Sequence, residues 1–75
     1  MSPRDDVVNL LSRYLARHLS ERELLVELRH VDTDGLEGDA GEFLAELRDE
    51  LRTPEAKRGS VEVLVRETLE AIALG

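Results

Sequence analysis

The segment Leu19–Leu24, which reads Leu-Ser-Glu-Arg-Glu-Leu, constrains the fold more than any other part of the chain. Ser20 and Glu23 have the spacing of a capping box, in which each side chain accepts a hydrogen bond from the backbone N–H of the other residue. Leu19 and Leu24 occupy the two positions of a hydrophobic staple around the same helix start. The segment therefore predicts that a helix begins close to residue 21.

The residues before this segment predict a first helix over 3–18. Ser2 and Asp5 offer a second capping signal, with Pro3 at the first helical position, where its missing N–H would have no intrahelical partner. The side chains that follow recur at the period of one helical face. They are Val7, Leu11, Tyr14, Leu15 and His18. Because His18 falls on this face, we expect it to be partly buried rather than catalytic.

Helix 2 is predicted over 21–31, and the sequence Asp-Thr-Asp-Gly at 32–35 favours a turn that ends it. Its inward residues are Leu24, Leu25, Leu28 and Val31. His30 lies near the end of this helix, where a positive imidazolium interacts well with the helix dipole.

Helix 3 is predicted over 40–52. Asp39 and Glu42 repeat the capping-box spacing at its start, and Pro54 ends it because the residue before proline is restricted to extended conformations. Its inward residues are Phe43, Leu44, Leu47 and Leu51. A short turn is expected at 54–58.

Helix 4 is predicted over 61–73, with Gly59 closing the turn and Ser60 as the N-cap. The alternating valines over 61–65 also fit a strand, but a lone strand would have no partner and the later spacing fits a helix. The inward residues of helix 4 are Val61, either Leu64 or Val65, Leu69 and Ile72. Together these signals predict an all-α fold, a small four-helix bundle formed by one domain over 1–75.

Size and composition limit what this bundle could do. A chain of 75 residues without cysteine has neither a disulfide framework nor a cysteine-based zinc site. Its length leaves little room for a dry catalytic pocket, and no Ser, His and carboxylate stand at the spacing of a known catalytic motif. We therefore expect no enzymatic activity and no cofactor. Self-association stays an open alternative, because a partner often completes a core of this size.

The charge of the chain is concentrated in one stretch. The protein has 10 Lys and Arg against 17 Asp and Glu, a net charge of −7, and the stretch between Arg29 and Arg48 holds six acids and no Lys or Arg. Those acids are Asp32, Asp34, Glu37, Asp39, Glu42 and Glu46. A nucleic-acid-binding protein would show a basic stripe instead, so a nucleic-acid ligand is not expected.

A specific metal site is not expected in this stretch either. The sequence at 32–35 is similar to part of a calcium-binding EF-hand loop, but the alignment places His30 at position 1 and Gly41 at position 12, where acids are required. Glu37 falls on position 8, which is normally aliphatic. Weak cation binding by the loop at 32–42 stays open.

The acids of helix 3 have two interpretations. Glu42, Glu46 and Glu50 recur at every fourth residue, where like charges cost about 0.2–0.5 kcal/mol per pair. They form either a solvated face that gives solubility or a docking face for a basic protein partner. The candidate partner-binding residues are Asp34, Glu37, Asp39, Glu42, Glu46 and Glu50.

Three segments of the chain together resemble the small helical proteins of the colicin D-type self-immunity class. They are the opening helix through the Leu-Ser-x-x-Glu-Leu step at 10–24, the acidic stretch at 42–47 and the closing helix at 64–69. The resemblance implies a bundle that binds and blocks a basic toxin nuclease, with acids that mimic a nucleic-acid backbone.

The chain also resembles acyl carrier proteins in its length, acidity and four predicted helices. Asp34-Gly35-Leu36 lies where carriers place Asp-Ser-Leu, and Ser60-Val61 resembles the start of their last helix. Gly35 has no hydroxyl to carry a phosphopantetheine arm. The resemblance therefore implies a carrier-like or adaptor protein without a working attachment site.

The chain is expected to be cytoplasmic. Its first six residues lack the apolar segment of a signal peptide, and no apolar run approaches the roughly 20 residues that span a bilayer. Nine of its ten basic residues are arginine, a bias typical of GC-rich bacterial genomes.

Overall fold

The structure, a computed structural model, describes residues 3–31, 36 and 38–74. Within these residues it has four α-helices and no strand. They are α1 (Pro3–Leu15), α2 (Glu21–Arg29), α3 (Asp39–Arg52) and α4 (Arg58–Leu74). The prediction of an all-α four-helix bundle is confirmed, and the valines over 61–65 lie in α4 rather than in a strand. No described helix is both long enough and apolar enough to cross a membrane.

Helix α1 ends at Leu15 rather than at residue 18. Arg17 adopts a left-handed backbone conformation with φ of 66°. Its N–H donates to the Tyr14 carbonyl at 3.0 Å, and the His18 N–H donates to the Arg13 carbonyl at 2.9 Å. These two bonds form a Schellman motif, which satisfies carbonyls that have no intrahelical donor. His18 therefore lies beyond the helix and is exposed, so its predicted partial burial is wrong.

Replacement of Arg17 by glycine should stabilise the protein. A left-handed conformation is unfavourable by about 1 kcal/mol for a residue with a Cβ, while glycine adopts it without that strain. After the larger unfolded-state entropy of glycine is subtracted, we expect Arg17→Gly to raise the free energy of unfolding by about 0.5 kcal/mol. Urea denaturation measures the change. The control is Arg13→Gly, inside the last turn of α1, which should be destabilising by about 1 kcal/mol. A loss of stability in Arg17→Gly would contradict the left-handed conformation of Arg17.

The capping box before α2 is confirmed. The Ser20 hydroxyl accepts a hydrogen bond from the Glu23 N–H at 3.1 Å, and the Glu23 carboxylate accepts one from the Ser20 N–H at 3.1 Å. Leu19 and Leu24, the two residues of the predicted staple, are both buried. Helix α2 ends at Arg29 rather than at 31, with His30 as its C-cap. The turn predicted at 32–35 lies outside the described residues.

The predicted capping box of Asp39 and Glu42 is wrong. Gly38 is the N-cap of α3, with φ of 68° and ψ of −145°, and no side chain accepts a hydrogen bond at this cap. Glycine adopts such a conformation at no steric cost, so the chain enters α3 one residue earlier than the side-chain pattern indicates. Asp39 and Glu42 instead lie in the first turn, where their negative charges interact favourably with the helix dipole.

The start of α4 also differs from the prediction. A short turn at Pro54 and Glu55 follows α3 as predicted, and α4 then begins at Arg58. Ser60 is therefore inside the first helical turn, and its prediction as the N-cap is wrong. The Lys57 carbonyl accepts the hydrogen bond from the Val61 N–H at 3.1 Å, which makes the residue before Arg58 the entry point of the helix.

The core lies between all four helices. Helix α3 packs most extensively on α4, α1 packs on α2 and α4, and α2 packs on α3. Val65 is fully buried and Leu64 only partly, which decides between the two predicted inward positions, and buried Thr68 donates its hydroxyl to the Leu64 carbonyl at 2.7 Å. The predicted Phe43, Leu51 and Leu69 are half-buried at the edge of this core. The fully or nearly buried hydrophobic residues are Val7, Leu10, Leu11, Tyr14, Leu19, Leu24, Leu28, Leu44, Leu47, Val61, Val65 and Ile72.

Candidate functional site

The outer side of α3 carries a row of carboxylates. Asp39, Glu42 and Glu46 are exposed and Glu50 is half-buried, while Leu44 faces the core. Asp49 is also exposed, and the 100° rotation per residue places it beside Glu42 and Glu46, although it lies outside the every-fourth-residue pattern of Glu42, Glu46 and Glu50. We call Asp39, Glu42, Glu46, Asp49 and Glu50 the acidic face. The predicted Asp34 and Glu37 lie outside the described residues.

The carboxylates of the acidic face have no basic partner within the described part of the chain. The ion pairs found there join Arg58 to Glu21 and to Glu62, on other helices. Glu42 with Glu46, and Glu46 with Glu50, therefore keep the unfavourable like-charge interaction of i, i+4 neighbours, about 0.2–0.5 kcal/mol each. Asp39 and Glu42 interact favourably with the dipole in the first turn of α3. The other carboxylates of the acidic face form no ion pair that would stabilise the described part of the fold.

A groove of about 610 Å³ opens where the N-terminal end of α3 meets the C-terminal end of α4. We call it the α3–α4 groove. Its apolar lining consists of Leu36, Ala40, Phe43, Ala71, Ile72 and Leu74. Its charged lining consists of Arg4, Asp39, Glu67 and Glu70. Asp39 belongs to both the groove and the acidic face, so the two surfaces are continuous.

Arg4 closes one end of the α3–α4 groove. Its guanidinium donates a hydrogen bond to the Ile72 carbonyl, in the last turn of α4. The last carbonyls of a helix have no intrahelical donor, so this contact satisfies one of them. The contact holds the Arg4 guanidinium at the end of α4, and within the described part of the chain Arg4 forms no ion pair with Asp39.

A cluster of four side chains joins three helices at the other end of α4. The Arg58 guanidinium lies 4.6 Å from the centre of the Tyr14 ring and donates to the Tyr14 carbonyl at 3.2 Å. It also contacts the Glu62 carboxylate at 3.0 Å and the Glu21 carboxylate at 3.8 Å. We call Tyr14, Glu21, Arg58 and Glu62 the Tyr14–Arg58 cluster. It ties the end of α1 and the start of α2 to the start of α4.

The surroundings of Tyr14 in this cluster shift its pKa. Its side chain is fully buried, and its hydroxyl has no hydrogen-bond partner among the described residues. Burial raises the pKa of Tyr14 above its ordinary value of 10.0; the negative charges of Glu21 and Glu62 act in the same direction, and the Arg58 guanidinium opposes them. The fold therefore favours the neutral phenol.

This pKa shift predicts a loss of stability at alkaline pH. The folded-state pKa of Tyr14 lies above the unfolded value, so the stabilising contribution is complete below pH 10.0 and is lost as pH rises through the folded pKa. Tyr14→Phe should remove this part of the pH dependence. It should change stability at neutral pH by less than about 1 kcal/mol, because the hydroxyl it removes is buried without a partner. Urea denaturation of both proteins at neutral and alkaline pH is the measurement. If the free energy of unfolding fell equally in both at alkaline pH, the pKa shift of Tyr14 would not be the cause of the decline.

The described residues contain no group of three or more His, Asp or Glu side chains arranged to hold a metal ion. The loop that resembles part of an EF-hand lies mostly outside them. His18 and His30 are both exposed, at the ends of different helices.

Searches of protein-family models, curated proteins and solved structures find no match to this chain. The resemblances to the colicin D-type self-immunity class and to acyl carrier proteins therefore stay predictions from the sequence.

Proposed function

We propose that this protein is a non-enzymatic binding module that docks on a basic protein through its acidic face. In its most specific form it is an immunity-type inhibitor that covers the basic surface of a toxin such as a nuclease. The observation that carries this proposal is the row of carboxylates on α3, which are exposed except for the half-buried Glu50 and have no basic partner among the described residues.

The spacing of these carboxylates suits a surface that normally binds phosphates. With a rise of about 1.5 Å per residue, Asp39 and Glu50 are separated by roughly 16 Å along the axis of α3. The five acids give about one negative charge per 4 Å of helix axis, which is comparable with the roughly 3.4 Å per charge of one nucleic-acid strand. Lys and Arg side chains of a partner would relieve the repulsion within the row and accelerate association.

The alternative of a carrier-like adaptor has less support. The carrier attachment position is Gly35, which lacks a hydroxyl and lies outside the described residues. Ser20 is engaged in the capping box, and Ser60 lies in the first turn of α4. Incubation with a phosphopantetheinyl transferase should therefore give no increase in mass, and labelling at either serine would favour the carrier function.

Neutralising two charges of the acidic face should weaken partner binding. The immobilised protein is tested against the product of the neighbouring gene and against a cell lysate, at low and at high salt. We expect the captured protein to be basic, to be released at high salt, and to bind the double variant Glu42→Gln with Glu46→Gln about tenfold more weakly, which corresponds to about 1.4 kcal/mol.

The matched control for this experiment is Glu27→Gln with Glu55→Gln. Both residues are exposed and have no ion pair among the described residues, so the control changes the net charge equally at other places. Partner binding should survive in the control. An acidic captured protein, or an equal loss of affinity in both double variants, would refute docking through the acidic face.

A further inference from the structure

We propose that the α3–α4 groove receives a large apolar side chain that projects from a basic segment of the protein partner. This inference rests on the proposed function and deepens it, because Asp39 belongs to both the groove and the acidic face. The partner would then make two kinds of contact: an apolar contact in the groove that does not depend on salt, and an electrostatic contact with the acidic face that does.

The groove exists because small residues stand where the two helices meet. Ala40 on α3 and Ala71 on α4 both line it, whereas the interior of the bundle is filled by leucine and valine side chains. Phe43 is half-buried and Leu74 is 82% exposed, so among the described residues both leave apolar surface accessible at the groove. A concave apolar space of several hundred Å³, about the size of ligand pockets, accommodates an anchoring side chain of a binding partner.

The charges around the groove select the kind of segment that carries this side chain. Asp39, Glu67 and Glu70 are exposed and have no ion pair among the described residues, while Arg4 donates to the Ile72 carbonyl. Three carboxylates and one guanidinium give the lining a net charge of −2. Such a rim attracts Lys and Arg placed next to an apolar anchor and repels an acidic segment.

The negative charge of the rim also disfavours a second copy of this chain as the occupant of the groove. A second copy carries the same net charge of −7 and would bring further carboxylates to a rim that is already negative. An apolar anchor flanked by basic residues is also the pattern of amphipathic helices that bind in grooves. The groove and the acidic face would then hold one continuous basic surface of the partner.

The test uses two fluorescent peptides of equal charge. One is a short amphipathic Lys–Leu helix, and the other has serine in place of every leucine. We expect the wild-type protein to bind the leucine peptide at least about tenfold more tightly than the serine peptide. Ala71→Trp fills the groove and should abolish this difference while leaving serine-peptide binding intact. Glu42→Gln with Glu46→Gln should weaken both peptides by the same factor.

A second variant keeps the test decisive if Ala71→Trp fails to fold. Leu74→Ser alters a side chain that is 82% exposed, so it removes apolar surface from the groove without disturbing the core. It should reduce the advantage of the leucine peptide several-fold. Amide chemical shifts of Ala40 and Phe43 should move with the leucine peptide and not with the serine peptide.

The outcomes separate this inference from the proposed function. If the two peptides bound equally and Glu42→Gln with Glu46→Gln weakened both, the groove would not be a binding site for an apolar side chain, while docking through the acidic face would still be supported. A leucine advantage that Ala71→Trp removes, with no effect of the α3 substitutions, would support the groove and refute docking through the acidic face. Failure of both peptides to bind, or a dimer in light scattering that Ala71→Trp dissociates, would overturn the inference.

Discussion

Arg58→Ala should lower the free energy of unfolding by about 3 kcal/mol. The substitution removes the charged hydrogen bond to the Tyr14 carbonyl, worth about 1.5–3 kcal/mol, and the cation–π contact with the Tyr14 ring, worth about 0.5–1 kcal/mol. The partly exposed ion pairs with Glu62 and Glu21 add less than about 1 kcal/mol each. A domain of this size is stable by only about 5 kcal/mol, so the loss is a large fraction of the total.

Urea denaturation followed by circular dichroism measures this loss, and two further variants identify its origin. Arg66→Ala removes an exposed arginine of α4 that forms no ion pair with the described acids of the Tyr14–Arg58 cluster, and its effect should stay within about 0.5 kcal/mol. Arg58→Lys keeps the charge but loses the planar guanidinium, so it should recover less than half of the stability. If Arg58→Ala and Arg66→Ala had equal effects, Arg58 would not tie the three helices together.

Local signals in the sequence predicted those parts of the fold that depend on neighbouring residues. The capping box of Ser20 and Glu23 was correct because both of its hydrogen bonds lie within one turn. The start of α4 was wrong because Arg58 is held by Tyr14 and Glu21, far away in the sequence. The local i, i+4 pair of Arg58 and Glu62 fits a helix that starts at Arg58, but it does not by itself exclude a start at Ser60.

The end of α1 was wrong for a different reason. A left-handed residue at a helix terminus is usually glycine, and here it is Arg17, so no residue type before His18 indicates that the helix stops there. The helical period continues through His18 in the sequence, although the backbone has already left the helix. Helix periodicity alone therefore overestimates the length of α1.

Of the two candidate binding surfaces, the acidic face depends on local sequence and the α3–α4 groove depends on contacts between distant segments. The acidic face was predictable because the helical period places Glu42, Glu46 and Glu50 together once α3 is recognised. The α3–α4 groove was not, because it depends on how the end of α4 lies against the start of α3. Ala40 and Ala71 are ordinary helix formers, and only their juxtaposition leaves the space between the helices open.

The Tyr14–Arg58 cluster and the α3–α4 groove lie at opposite ends of α4. The Tyr14–Arg58 cluster holds the first turn of this helix, whereas the α3–α4 groove is lined by its last residues. The helix runs from Arg58 to Leu74, 17 residues, which is about 25 Å. Substitutions in the cluster should therefore change the unfolding free energy without changing the shape of the groove, and groove variants such as Leu74→Ser should do the reverse.

Gly41→Ala should destabilise the protein even though it places a better helix former in α3. Alanine is favoured over glycine in a helix by about 1 kcal/mol. A Cβ at Gly41, however, would lie 2.7 Å from the Leu36 carbonyl oxygen, so the backbone of one segment would have to move. Overpacking of this kind costs typically 1–3 kcal/mol, and we expect a net loss of about 1–2 kcal/mol in urea denaturation.

Gly59→Ala is the matched control, because it makes the same chemical change in a different environment. Gly59 lies in the first turn of α4, and a Cβ there meets no atom within 4 Å. The helix propensity and the reduced unfolded-state entropy should then act alone and raise the free energy of unfolding by about 0.5–1 kcal/mol. Opposite signs for the two substitutions would support the close approach of Leu36 to α3. Equal stabilisation by both substitutions would show that the Leu36 carbonyl does not lie against Gly41. Leu36 would then line the α3–α4 groove at a different position.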